Sequence, residues 1–129
     1  MNLLNAKYNI AVKALSTLED ILQSEITIVI RDAAIQRFEY TVEAVWKCLQ
    51  AYLNEYEGII CASPKMCFRE STRVGLLNKD ETRLSLVMID DRNLTSHTYH
   101  EEVANKIYES LNAYNSLMKK LLNSINEKL

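Results

Sequence analysis

Only two glycines and one proline occur in 129 residues, 48% of the chain is hydrophobic, and apolar residues recur at steps of three and four. These observations predict an all-α protein. The expected architecture is an antiparallel up-and-down four-helix bundle with a short extra helix, formed as a single domain over residues 1–129. A chain of this length buries about two-thirds of its unfolded surface, enough for one core.

The first helix is carried by Leu4, Tyr8, Ala11, Leu15, Leu18 and Leu22, which fall on one face. The stretch "ITIVI" (26–30) favours strands by its β-branched residues, but no second such segment exists to pair with it. It is read as the packed start of the second helix or the turn before it. That helix follows Ile35, Phe38, Val42, Val45, Leu49, Tyr52 and Tyr56 to a stop at Gly58, with Phe38 and Trp46 as core residues. Ser63 before Pro64 reads as an N-cap followed by proline at the first helical position, opening a short helix through about Leu77. Asn78 with Glu81 can cap a fourth, carrying Leu84, Val87 and Met88 inward. Thr98 with Glu101 makes a further capping box, so the last helix is expected just after Thr98, on Val103, Ile107, Leu111, Tyr114, Met118, Leu121 and Ile125. The stripes, with Tyr52, Tyr56, Tyr108 and Tyr114, carry more apolar face than one small bundle needs, which makes a homodimer one expectation.

Fifteen basic and seventeen acidic residues leave a net charge of −2, so no global field draws the chain to nucleic acid or anionic lipid. Cys48, Cys61 and Cys67 form neither a C-x-x-C pair nor an even set, and no histidine sits at metal-ligand spacing from them. They are read as reduced thiols of a cytoplasmic protein, with no metal and no cofactor. "MNLLNAKYNI" has no basic start before an apolar run, and "ITIVI" stops at Arg31, so neither a signal sequence nor a membrane span is expected.

One stretch departs from the helical pattern: "DDRNLTSHTY" (90–99) crowds Asp91, Arg92, Asn93, His97 and Tyr99 with hardly an apolar residue among them. Arginine clamps a phosphate with a fixed charge and forked donors, and histidine exchanges protons near neutral pH; together they suit phosphodiester chemistry. On a continuous helix a five-residue separation would set Arg92 and His97 about 140° apart, so they converge only if the chain turns between them. The structural alternative is that Asp90 and Asp91 engage Arg92 while His97 caps a helix. Lys65, Arg69 and Arg73 form a basic stripe at i, i+4, i+8 that suits a phosphate chain, an acidic partner or simply water. Arg37 and Glu39 read first as a solvated face that can form an ion pair and second as an interface, and His100 receives no role. No glycine-rich phosphate loop, G-x-S-x-G, H-E-x-x-H or G-S…D-x-D set is present, so the chain by itself should not transfer nucleotides.

"IQRFEYTVEAVWK" (35–47), "SPK…FRESTRVGLL" (63–77) and "MIDDRNLTSHTYHEEVA" (88–104) resemble the nucleotidyltransferase substrate-binding proteins of the HEPN superfamily. The resemblance spans nearly the whole chain. It implies a dimeric helical bundle that partners a separate minimal nucleotidyltransferase, usually encoded beside it, and supplies that enzyme's substrate-binding domain. The superfamily also holds ribonucleases carrying R-x4-6-H, a spacing met by Arg92 and His97. In the related HepT toxins the motif extends to R-x4-H-x-Y, which Tyr99 completes. The resemblance therefore implies Arg92 and His97 as a metal-independent RNA-cleaving pair and Tyr99 as a hydroxyl the partner transferase would modify with AMP. Lys65, Arg69, Arg73, Asp91 and Asn93 are the expected contacts to substrate, nucleotide, RNA or partner. The chain departs from the family in "ETRLSLV" (81–87), where a tryptophan is expected, and at His100, where an acid or asparagine is expected.

Overall fold

Helix α1 (Leu3–Leu22) turns back through residues 23–27 into the longest element, α2 (Ile28–Glu57). The computed structural model describes residues 3–129; Met1 and Asn2, the start of the stretch read above for a signal sequence, lie outside them. Thr27 caps α2, its hydroxyl accepting from the Ile30 N–H, and Gly58 at φ 68° ends it with its N–H on Leu53 O. The strand-like "ITIVI" thus forms a cap and a first helical turn. Only Ile30 packs against the core, whereas Ile26, Ile28 and Val29 are exposed.

A short hairpin follows, α3 (Pro64–Arg73) and α4 (Lys79–Asn93). Ser63 caps α3 as its sequence suggested. The helix stops before Leu77 because Gly75 adopts φ 83°, and the N–H groups of Leu76 and Leu77 both fold back onto Ser71 O. That early stop drives Leu76 and Leu77 into the core. Asn78 and Glu81 make the reciprocal capping box that opens α4. The inward face of α4 is Ser85, Met88 and Ile89, while Val87 stays exposed, so the expected face is shifted.

After a 3-10 turn at Thr95–His97, α5 (Glu101–Asn126) completes the fold. The Thr98–Glu101 capping box does not form. His100 occupies the cap position with no side-chain cap bond, Thr98 Oγ1 donates to Thr95 O at 3.2 Å, and Glu101 is drawn away to Arg31 at 2.6 Å. Arg31 is buried at the start of α2, and a buried guanidinium needs its carboxylate more than an exposed helix end needs a cap.

The core is built from α1, α2 and α5, which pack on one another, with the α3–α4 hairpin laid against α2 and α5. Helices α1 and α2 are antiparallel: Thr41 Oγ1 reaches Ala14 O, and Arg37 donates to Thr17 O. Helices α2 and α5 run in the same direction, since Arg31 meets Glu101 and Phe38 stacks on Tyr114 with ring centroids 5.5 Å apart. Helix α4 is antiparallel to α5, since Glu81 meets Lys120 and Asp91 meets Lys106; the parallel course of α2 and α5 is thus what alternation of α1, α2, α4 and α5 gives, with α3 as the short extra helix. Tyr52 and Tyr114 are consumed by the chain's own core, and Tyr56 stacks on Tyr52 at the surface.

At the centre of the α4–α5 contact, Tyr114 Oη donates to Asp91 Oδ2 at 2.5 Å. Asp91 is buried, and Lys106 Nζ stands 3.7 Å from its other oxygen. Burial pushes the Tyr114 phenol well above its ordinary value, and the Asp91 carboxylate adds to that rise.

The cysteine reading is corrected. Cys61 and Cys67 are joined, sulfur to sulfur at 2.01 Å, because the Ser63–Pro64 helix start folds the first turn of α3 back over the 59–62 loop. The cysteine argument for a reducing compartment falls with it. Cys48 alone is a free thiol, buried and pushed up to about 12 by that burial. Among the described residues no helix is long and apolar enough to cross a membrane.

Two outcomes follow from this packing. Tyr114→Phe leaves a buried carboxylate oxygen without its donor and should cost about 1–3 kcal/mol in urea unfolding, with helix content by circular dichroism unchanged. Thiol titration should find no reactive cysteine in the native protein and one in denaturant without reductant; adding reductant should expose the other two.

Candidate functional site

Helix α2 turns a ridge of ionic side chains, Glu39, Glu43 and Lys47 at i, i+4 and i+8, toward the α4–α5 connection. Thr95 Oγ1 donates to Glu39 Oε2 and lies equally close, 2.7 Å, to Arg92 O. One turn along α2, Glu43 Oε1 receives Trp46 Nε1 at 3.2 Å and Arg92 Nη2 at 3.4 Å, while Lys47 Nζ stands 3.3 Å from Oε2. Burial pushes the Glu43 carboxyl up; the hydrogen bonds from Trp46 and Lys47 and the charges of Lys47 and Arg92 outweigh it, so the group lies below its ordinary value. Arg92 therefore has an ionised partner at neutral pH.

The chain does turn between Arg92 and His97. Helix α4 ends at Asn93, Leu94 caps it, and the 3-10 turn follows. The His97 N–H closes onto Leu94 O at 2.9 Å. Arg92, whose side chain is 34% exposed, faces α2; the His97 imidazole is exposed. No hydrogen bond joins the two. His97 instead meets Tyr99 edge-on, ring centroids 6.2 Å apart, and Tyr99 leans on His100 at 4.3 Å. Tyr99 is 73% exposed, so its hydroxyl is open to a partner.

The other candidates divide. Lys65 Nζ is paired with Asp90 at 2.6 Å and Arg73 with Glu70 at 3.2 Å, while Arg69 and Asn93 are exposed. The basic stripe is thus partly neutralised by its neighbours. Asp91 points away from solvent into its bond with Tyr114, and holds the turn of helix that carries Arg92. Arg37 and Glu39 do not pair with each other: one reaches α1 and the other Thr95.

Neither Glu43 nor Thr95 stands out in the sequence, and Glu39 reads there first as part of a solvated face and second as an interface. The i, i+4, i+8 spacing of Glu39, Glu43 and Lys47 is visible, but such spacing marks most solvated helices. Only the folded chain shows that Arg92 and Thr95 meet it. The resulting site offers a half-exposed guanidinium held by a carboxylate, an exposed imidazole and an exposed phenol. Such a set can bind a phosphate, exchange a proton and present a nucleophilic oxygen.

Comparison with known proteins agrees with this helical frame. No functionally curated protein is significantly similar. A solved protein from Thermus thermophilus is 52% identical with a TM-score of 0.87, the match covering 89% of this chain and 98% of that one. A Haemophilus influenzae protein, described as having the fold of a substrate-binding domain of a nucleotidyltransferase, is 25% identical with a TM-score of 0.78, covering 92% of this chain and 98% of that one. A chain of a toxin–antitoxin structure determined with AMP-PNP shares the fold at 14% identity and a TM-score of 0.73, covering 97% and 99%. The sequence pattern described as "nucleotidyltransferase substrate binding protein like" matches residues 6–127, and the chain belongs to that family.

Proposed function

We propose that the protein is the partner subunit of a separate minimal nucleotidyltransferase, for which it supplies the substrate-binding helical domain as a homodimer. The observation that carries this reading is the family match over residues 6–127. The similarity to the relative described as a substrate-binding domain, running over 98% of that chain, supports it. In this reading the face bearing Arg92, His97 and Tyr99, with Arg69 and Lys65 beside it, lies opposite the transferase active site. The guanidinium takes the substrate's anionic group, and Glu43, already ionised, keeps that guanidinium in place when the site is empty.

A second reading is favoured by the exposed His97 and Tyr99 in the R-x4-H-x-Y spacing: a ribonuclease toxin of a toxin–antitoxin pair. His97 would take the proton of an RNA 2′-hydroxyl, whose oxygen attacks the adjacent phosphorus as the 5′ oxygen leaves. Arg92 would neutralise the phosphorane charge. The contact from Arg92 to Glu43, at 3.4 Å, is long enough for a phosphate to compete with it. Tyr99 would be silenced by taking AMP from ATP, with pyrophosphate leaving.

The deciding experiment mixes the purified chain with the nucleotidyltransferase encoded beside it, Mg²⁺ and ATP, and reads complex formation and the intact mass of this chain. A stable complex with unchanged mass is expected for the substrate-presenting subunit; failure to form a complex overturns it. A gain of one AMP, lost in Tyr99→Phe, supports the toxin reading instead. In that case RNA cleavage by the unmodified chain should fall about 100-fold or more in His97→Ala, and cleavage unchanged in that variant overturns the mechanism.

A further inference from the structure

We propose that the cavity between the start of α1 and the second half of α2 is a binding site for a small molecule carrying one anionic group on an apolar body, with Lys7 and Lys47 taking the charge. The cavity holds about 270 Å³ and lies between Lys7, Lys47, Ala51, Ile59 and the Cys61 wall. That is slightly below the usual range for drug-sized ligands, so its occupant is small, of the size of an aromatic carboxylate or a nucleoside monophosphate.

The walls are preformed. Gln50 Nε2 donates to Cys61 O at 2.7 Å, and Cys61 is tied to α3 through Cys67. The loop that closes one side is therefore held at two points. At the mouth, Leu3 is 65% and Ile60 81% exposed. Large apolar side chains left in water at the rim of a concavity mark a contact surface for an apolar group.

The charge pattern selects an anion. Two lysines of this chain are half-buried, Lys7 and Lys65; Lys65 has Asp90, whereas Lys7 has no acidic partner among the described residues. Lys47, the second ammonium group on the cavity, shares Glu43 with Arg92. The cavity lining thus holds two lysines and no acidic residue, although the whole chain carries −2. A neighbouring hollow shares Leu3, Ala51 and Asn54 but ends at Glu55. An anionic group is thus directed to the lysine end, and a ligand with negative charge at both ends is disfavoured. This site uses neither His97 nor Tyr99, and it stands or falls apart from the function proposed above.

The test is a ¹⁵N chemical-shift titration of the full chain with AMP and with benzoate, using adenosine and benzyl alcohol as uncharged counterparts. At least one anion should saturate with Kd below about 1 mM, shifting the amides of Ala51, Ile59 and Ile60. Its neutral counterpart should bind at least tenfold more weakly. Saturation by AMP alone identifies a phosphate ester as the preferred group and saturation by benzoate alone a carboxylate; both outcomes support the site. Lys7→Gln, which leaves the packing intact, should weaken binding about tenfold, and Ala51→Phe, which fills the cavity, should abolish it. Absence of saturation by either anion to about 10 mM, equal binding of the neutral counterpart, or full affinity in Lys7→Gln overturns the proposal.

Discussion

The hydrogen bond from Tyr114 to the buried Asp91 carboxylate is the constraint on which the functional face depends. It joins the last turn of α4 to the middle of α5 at the point where the chain must leave one helix and start the next. A carboxylate removed from water must keep its partners, because an orphaned buried charge is far more costly than a lost surface contact. Tyr114 is itself fixed by stacking on Phe38 of α2. The backbone at Asp91 is thus registered against both long helices, and Arg92, the next residue, inherits that position.

From this point the site is built outward by progressively weaker interactions. Arg92 reaches Glu43 at 3.4 Å, Thr95 is tied to Glu39, and His97 and Tyr99 end in solvent. Rigidity is concentrated where the guanidinium is aimed, and freedom is left where a phenol or imidazole has to meet a partner. This gradient suits a face that receives a ligand or protein from outside, since exposed groups carry little of the folding energy. Either of the roles proposed above would use these solvent-facing groups and not the helical frame, because a fold does not by itself fix a function.

A similar division holds at the other end of α2. The Cys61–Cys67 link and the Gln50 contact fix the loop beyond Gly58, while Leu3, Lys7 and Ile60 remain available around the cavity. Glu43 connects the two regions, since it is bound by Arg92 on one side and Lys47 on the other.

The sequence by itself determined the helices and most of their ends. Apolar steps of three and four place the core faces of α1, α2 and α5, and Ser63–Pro64, Asn78 with Glu81, and Gly58 mark boundaries by local chemistry acting within a few residues. The sequence motif also located the Arg92–Tyr99 stretch and the family. Local rules failed where a distant partner outcompeted a near one. Glu101 left its capping box for buried Arg31, seventy residues away; Asp91 turned from solvent to Tyr114; Cys61 found Cys67 because a helix start folded back over its loop. The pairing of Glu43 with Arg92 was likewise decided only by the tertiary structure. Burial raises the cost of an unpaired charge or polar group, and spacing along the chain carries no record of which residues the fold will bury together.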